Sequence, residues 1–161
     1  MRRPRPTMAD ADDTSAAEAT AMRVLAGASQ SADGLQRRLM RHGFSGDAAE
    51  QAVQRCRELG YVDDAALATS VVSRHRRRHH GRARVIADLR GRGIDRATIE
   101  RATAELEASE LEAAIEAAKL LKARSERRLA ASQQERQRLA AALQRRGFSA
   151  GVIGEALRSL D

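Results

Sequence analysis

The sequence predicts an all-α fold of three tandem three-helix repeats, each resembling a helix-turn-helix unit. Composition is the first reason. The 161 residues are 42% apolar and 32% charged, with two prolines and 2% aromatics, a balance that favours helix. The second is that no alternating apolar–polar run rich in β-branched residues occurs, so no strand is expected. The third is an internal repeat. LQRRLMRHGFSGDAAEQAV (35–53), VIADLRGRGIDRATIERAT (85–103) and LAAALQRRGFSAGVIGEAL (139–157) share one pattern.

In each copy two apolar residues stand four apart: Leu35 and Leu39, Val85 and Leu89, Leu139 and Leu143. Four residues further on comes Gly43, Gly93 or Gly147. Glycine just past a helix can take the left-handed conformation that ends it. Then follow an apolar residue (Phe44, Ile94, Phe148) that packs back, and a helix N-cap (Ser45, Asp95, Ser149). A further helix precedes each pair. Residues 16–26 lead the first. Asp63 or Asp64 caps a second, running to about His79. The third spans 111–129, with Leu111, Ile115, Ala118 and Leu121 on one face. Ser132 and Glu135 read as a capping box for the helix after it.

The turn glycines lie 50 and then 54 residues apart, longer than tetratricopeptide or ankyrin periods. The expected organisation is a tail at 1–14 and repeats at 15–60, 61–107 and 108–161. Each repeat is too small for a good core, so they should pack end to end in an elongated, curved arrangement.

Net charge is +7, which favours a polyanion such as nucleic acid, or an acidic protein surface. The basic segments lack bulky apolar faces, so no membrane partner is expected, and no apolar run reaches spanning length. Cys56 is the only cysteine and cannot form an intrachain disulfide. The opening MRRPRPTMADADDTS has twin arginines but no hydrophobic region behind them. It reads as a disordered tail, and a cytoplasmic location is expected.

Charge concentrates in SRHRRRHHGRARV (73–85), with six arginines and three histidines. Arg74, Arg77 and Arg78 are spaced to share a helical stripe, and Arg82 and Arg84 carry the charge into the next helix. Cations at a helix C-terminus are favourable on a merely solvated face. Here, though, Asp88 is the only acid between Ser73 and Arg92, a density that solubility does not need. We read Arg74, Arg76, Arg77, Arg78, Arg82 and Arg84 as a binding face.

The remaining candidates read as structural. His75 and His79 have the i, i+4 spacing of some zinc helices, but arginines surround them and no third ligand is evident, so no metal is expected. Asp63 and Asp64 read as a cap and a dipole partner, not a catalytic pair. Tyr61 reads as a packing residue, and Cys56 as a buried, inert thiol. Glu100, Glu105, Glu107, Glu110, Glu112 and Glu116 form an acidic stretch, either solvated or facing a basic partner. There is no Walker loop, nucleophile elbow, zinc motif or Gly-rich dinucleotide turn, so neither a catalytic residue nor a cofactor is expected.

Residues 59–94, LGYVDDAALATSVVSRHRRRHHGRARVIADLRGRGI, resemble the RecX regulators of the RecA recombinase. The resemblance rests on Gly60-Tyr61, Asp63-Asp64, Leu67-Ala68, Val71-Val72, arginines ahead of Gly81, Arg84-Val85, Leu89 and Gly93-Ile94. It extends over roughly 16–160. The sequence departs from the family at four places. Where the family has a small or flexible residue and then an aromatic before Gly81, this chain has His79 and His80. Arg82 replaces a frequent proline, and Arg76 a frequent apolar residue.

The resemblance implies a small monomeric regulator, not an enzyme, that binds the RecA–DNA filament in its helical groove. It implies modulation, chiefly inhibition, of recombinase ATPase, strand exchange and co-protease activity, or promotion of filament disassembly. DNA, single-stranded and also double-stranded, would be met through its backbone. Two other readings stand beside it, a helix-turn-helix transcription factor and a helical scaffold. A base reader should carry basic or amide side chains on the helix after the turn. Here the positive charge precedes the turn.

Overall fold

The computed structural model describes residues 11–125 and 133–160. Among these the chain forms nine helices and no strand. They are α1 (Thr14–Gly27), α2 (Ala32–His42), α3 (Gly46–Glu58), α4 (Asp64–Arg77), α5 (Arg82–Gly91), α6 (Arg96–Ala108), α7 (Glu110–Ser125), α8 (Gln133–Arg145) and α9 (Ala150–Arg158). The capping box at Ser132, the end of the helix expected over 111–129 and most of the N-terminal tail lie outside the described residues.

The repeated turn forms as the glycine spacing predicts. Gly43, Gly93 and Gly147 have φ of 102°, 76° and 88°. At two of these turns the hydrogen bonds are those of a Schellman cap: Phe44 N–H donates to Leu39 O, and Phe148 N–H to Leu143 O, both at 3.3 Å. Ser45 Oγ, Asp95 Oδ1 and Ser149 Oγ then accept from the amides of Ala48, Thr98 and Val152. Phe44, Ile94 and Phe148 are buried.

Two further helices end the same way. After α3, Gly60 has φ 75° and Tyr61 N–H donates to Cys56 O at 2.9 Å. After α4 the left-handed residue is His79, at φ 50°, with His80 N–H donating to His75 O at 3.2 Å. The helix therefore stops two residues before the expected His79. A small residue suits this position because a side chain there crowds the following carbonyl, at a cost of about 1–2 kcal/mol. His79→Gly is expected to recover about 1 kcal/mol, read as a higher melting temperature. An unchanged or lower value would show that the turn depends on the imidazole.

Contacts divide the chain into two compact units. One runs to Ala68 and includes Gly91–Thr98; the other comprises Thr69–Arg90 and the chain from Ile99 onward. In the first, α1, α2 and α3 pack on one another. Leu35, Leu39, Ala49 and Ala52 are fully buried there against Ala17 and Ala21. In the second, α7, α8 and α9 pack together, with Ala114, Ala117 and Ala118 against Leu143, Phe148 and Ile153. Alanine on the leading helix lets the leucine-bearing helices approach closely. Each leucine so buried contributes about 1.5–3 kcal/mol.

A feature absent from the sequence pattern joins consecutive repeats. Ser31 and Gly81 each stand twelve residues ahead of a turn glycine. The Ser31 hydroxyl donates to the carbonyl of Arg92, just before the turn glycine Gly93. The Gly81 amide donates at 2.8 Å to the carbonyl of Arg146, just before Gly147. The start of one repeat's second helix thus receives the next repeat's turn, and the same joint occurs once in each compact unit.

Asp63 and Asp64 cap different helices. Asp63 Oδ1 accepts from Ala66 N–H at 2.9 Å and caps α4. Asp64 Oδ1 accepts from Ala32 N–H at 2.9 Å, at the start of α2, and its Oδ2 lies 3.6 Å from Arg57 Nη2. The packing expected of Tyr61 is not met. Tyr61 is 54% exposed and Val62 only 5%, so the apolar neighbour faces the core and the phenol faces solvent.

Candidate polyanion-binding surface

The basic stretch forms the last turn of α4, the turn after it and the start of α5, around a buried histidine. His75 Nε2 lies 2.8 Å from Asp88 Oδ2 on α5, and its Nδ1 lies 2.8 Å from Nδ1 of His80. His79, spaced i, i+4 from His75, is not part of this chain of contacts; His80 is. A left-handed His79 is what lets the chain reverse and bring His80 back over His75. The two imidazoles stack obliquely, with centroids 4.9 Å apart.

The arginines divide by environment. Arg76, Arg77, Arg78 and Arg84 are exposed, whereas Arg74 and Arg82 are half-buried. Arg82 turns partly inward: its Nε is buried without a hydrogen-bond partner, and its amide donates to Glu110 Oε1 at 3.2 Å. The stripe expected from Arg74, Arg77 and Arg78 is broken, because α4 ends at Arg77.

Two arginines that sequence reasoning missed, Arg145 and Arg146, join this surface. Arg146 Nη1 donates to Arg78 O, and Arg84 Nη1 donates to Arg145 O, both at 2.9 Å. Glycine contact makes the approach possible. A methyl group on Gly81 would overlap the Gly147–Phe148 peptide, and one on Gly147 would strike the backbone of Arg84. Only the pair of arginines ahead of Gly147 hinted at this in the sequence, and nothing there placed it beside Arg78.

The guanidiniums of Arg84 and Arg146 are thus tied to the backbone carbonyls of Arg145 and Arg78. Among the described residues, Arg78, Arg84, Arg145 and Arg146 have no carboxylate within ion-pair distance. His80 registers the resulting field. Burial first, then the charges of Arg84, His75, Arg146 and Arg78, push its pKa down to about 4. Burial opposes a charge of either sign, but the arginine part of this effect is a positive field, and that field favours an anion. Cys56, in the other unit, is buried. Desolvation and then Glu18 raise its pKa and keep the thiol protonated and unreactive.

In the acidic stretch, Glu110 is engaged with the amide of Arg82, and Glu116 bonds Lys119 at 2.8 Å. Among the described residues no cluster of His, Cys, Asp or Glu could hold a metal ion, and no helix is long and apolar enough to cross a membrane.

The fold and its surface define a tandem three-helix repeat protein with a basic surface gathered around the α4–α5 and α8–α9 turns. Family models agree: "RecX, second three-helix domain" matches residues 63–102, and "RecX, third three-helix domain" matches 108–157. The chain belongs to the RecX family of regulatory proteins. Regulatory protein RecX of Pelodictyon phaeoclathratiforme (strain DSM 5477 / BU-1) is 35% identical over 75 residues, covering 46% of this chain and 47% of that protein. The match therefore spans about half the length of that relative. The crystal structure of RecX from Lactobacillus salivarius superposes with a TM-score of 0.77 at 20% identity, covering 94% of this chain and 98% of that one. A second crystal structure, of regulatory protein RecX, gives 0.75 at 21% identity, covering 93% and 74%. Both share the fold.

Proposed function

We propose that this protein binds a RecA-type recombinase filament on DNA and restrains its ATPase, strand-exchange and co-protease activities. The observation that carries the reading is the gathering of Arg78, Arg84, Arg145 and Arg146 around two turns, with Arg84 and Arg146 held by carbonyls and none of the four matched by a carboxylate among the described residues. Guanidiniums so held keep N–H donors for phosphate oxygens, which they bind in charge-assisted pairs. Arg76 and Arg77, exposed at the end of α4, extend the surface. Contacts of this kind position a protein on a nucleic-acid backbone without reading bases.

The helix-turn-helix alternative is less well supported. The helix after the middle turn, α6, carries Glu100, Glu105 and Glu107, which major-groove phosphates would repel.

The test is binding to bare single-stranded DNA and to recombinase filaments over a salt series, with two unrelated DNA sequences, alongside recombinase ATPase. Affinity should fall with a log–log slope of about −0.7 per phosphate contact on single strands. ATPase should fall as the protein is added. A strong preference for one sequence would favour the transcription-factor reading. Salt-independent filament binding would show that the arginines are only solvated.

A further inference from the structure

The His80–His75–Asp88 chain lies directly under this surface, and the function above does not use it. Two imidazole nitrogens facing each other at 2.8 Å hold one proton between them. His75 Nε2, against the Asp88 carboxylate, carries the proton of that bond. In the tautomer with His75 neutral, its Nδ1 is bare and accepts from the Nδ1–H of His80. This leaves His80 Nε2 as the one ring nitrogen still able to accept a proton without breaking either contact. It has no partner among the described residues.

We propose that His80 is a conditional cation of this surface: a nucleic-acid phosphate seated among Arg78, Arg84 and Arg146 draws a solvent proton onto His80 Nε2, which then faces the phosphate as an N–H donor. The inference rests on the anion-binding reading above and adds a proton to it. The groups that face His80 come from three elements. They are His75 on α4 with Arg78 just after it, Arg84 on α5, and Arg146 on the turn between α8 and α9. Asp88 lies beyond His75 and is shared with it.

In the free protein burial, and then Arg84, Arg146 and Arg78, oppose protonation of His80. A bound phosphate reverses the sign of that field. Burial is the remaining opposing effect, and a hydrogen bond from Nε2–H to a phosphate oxygen offsets it. His80 therefore stays neutral while the surface is empty, sparing the cluster another positive charge. It charges only when the anion arrives.

By linkage, a pKa that rises on binding makes binding tighten as pH falls. If binding returns His80 to the ordinary histidine value, about half a proton or more is taken up per complex at about pH 6, and almost none at about pH 8. Affinity should then be about fourfold higher at the lower pH.

The experiment is calorimetric titration of the intact protein with a short oligothymidylate, at both pH values, in buffers of different ionisation enthalpy. His80→Gln and His79→Gln are run beside it. Uptake present in the wild type and in His79→Gln, and absent in His80→Gln, is the expected result. Uptake retained in His80→Gln overturns the proposal and assigns the proton to another group. Binding without uptake in the wild type overturns it while leaving the anion-binding reading intact. Failure of the oligonucleotide to bind overturns both. Should His80→Gln not fold, histidine NMR of the wild type decides: the His80 ring resonances must move to the imidazolium position on adding the oligonucleotide at about pH 6. Unmoved resonances reject the proposal.

Discussion

Gly81→Ala is expected to destabilise the protein by about 3 kcal/mol, the upper end of overpacking costs. The reason is close approach. The added methyl would fall on the Gly147–Phe148 peptide, and that neighbour is backbone, which cannot rotate aside. Relief requires the α8–α9 turn to move away, which breaks the Gly81 amide bond to Arg146 O and costs about 1 kcal/mol more. Gly91→Ala is the control. A methyl at Gly91, at the end of α5, meets nothing within 4 Å, and alanine is the better helix former there. Urea unfolding followed by circular dichroism measures both. Equal midpoints would show that the turn does not dock on Gly81. Gly81→Ala should also weaken DNA binding, because the same joint brings Arg145 and Arg146 to Arg78 and Arg84.

The second large effect is on binding. Replacing Arg78, Arg84, Arg145 and Arg146 together by alanine should reduce the magnitude of the log–log salt slope for single-stranded DNA by about 0.7 per lost contact, about 3 in all. Arg84 and Arg146 also tie carbonyls, so some stability will be lost, on the order of 1 kcal/mol per bond. The matching set of lysine replacements separates the two roles. Lysine keeps the charge and much of the slope, but presents a point charge in place of a planar fork. A slope unchanged in the alanine variant would remove these arginines from the interface. A slope lost equally in both variants would mean that the carbonyl ties, and not the charge, are what DNA binding requires.

The helices and turns were legible in the sequence because their determinants are local. A left-handed glycine, the apolar residue after it and a capping hydroxyl or carboxylate all act within about five residues. So Gly43-Phe44-Ser45 and Gly147-Phe148-Ser149 announce the same turn wherever the rest of the chain goes, and both form it. The conserved geometry of that turn is also why the repeat was visible before any fold was known. Buried Leu35, Leu39, Val85, Leu89, Leu139 and Leu143 follow from helical spacing alone.

The candidate surface was only half legible, since its parts lie far apart in the chain. Arg146 meets Arg78 across 68 residues and Arg84 meets Arg145 across 61, distances at which no periodic pattern carries information. Tyr61 was expected to pack, and the register of the chain leaving α3 buried its neighbour Val62 instead. Asp63 and Asp64 looked like one cap and proved to serve two helices, because the second carboxylate meets an amide 32 residues away. His79 looked like a helical residue and stands in the left-handed region, with His80 turned back onto His75. Short-range hydrogen-bond geometry is written into the order of residues. Which distant backbone can approach a glycine, and which charges then crowd one another, depends on shapes that exist only after the helices have packed.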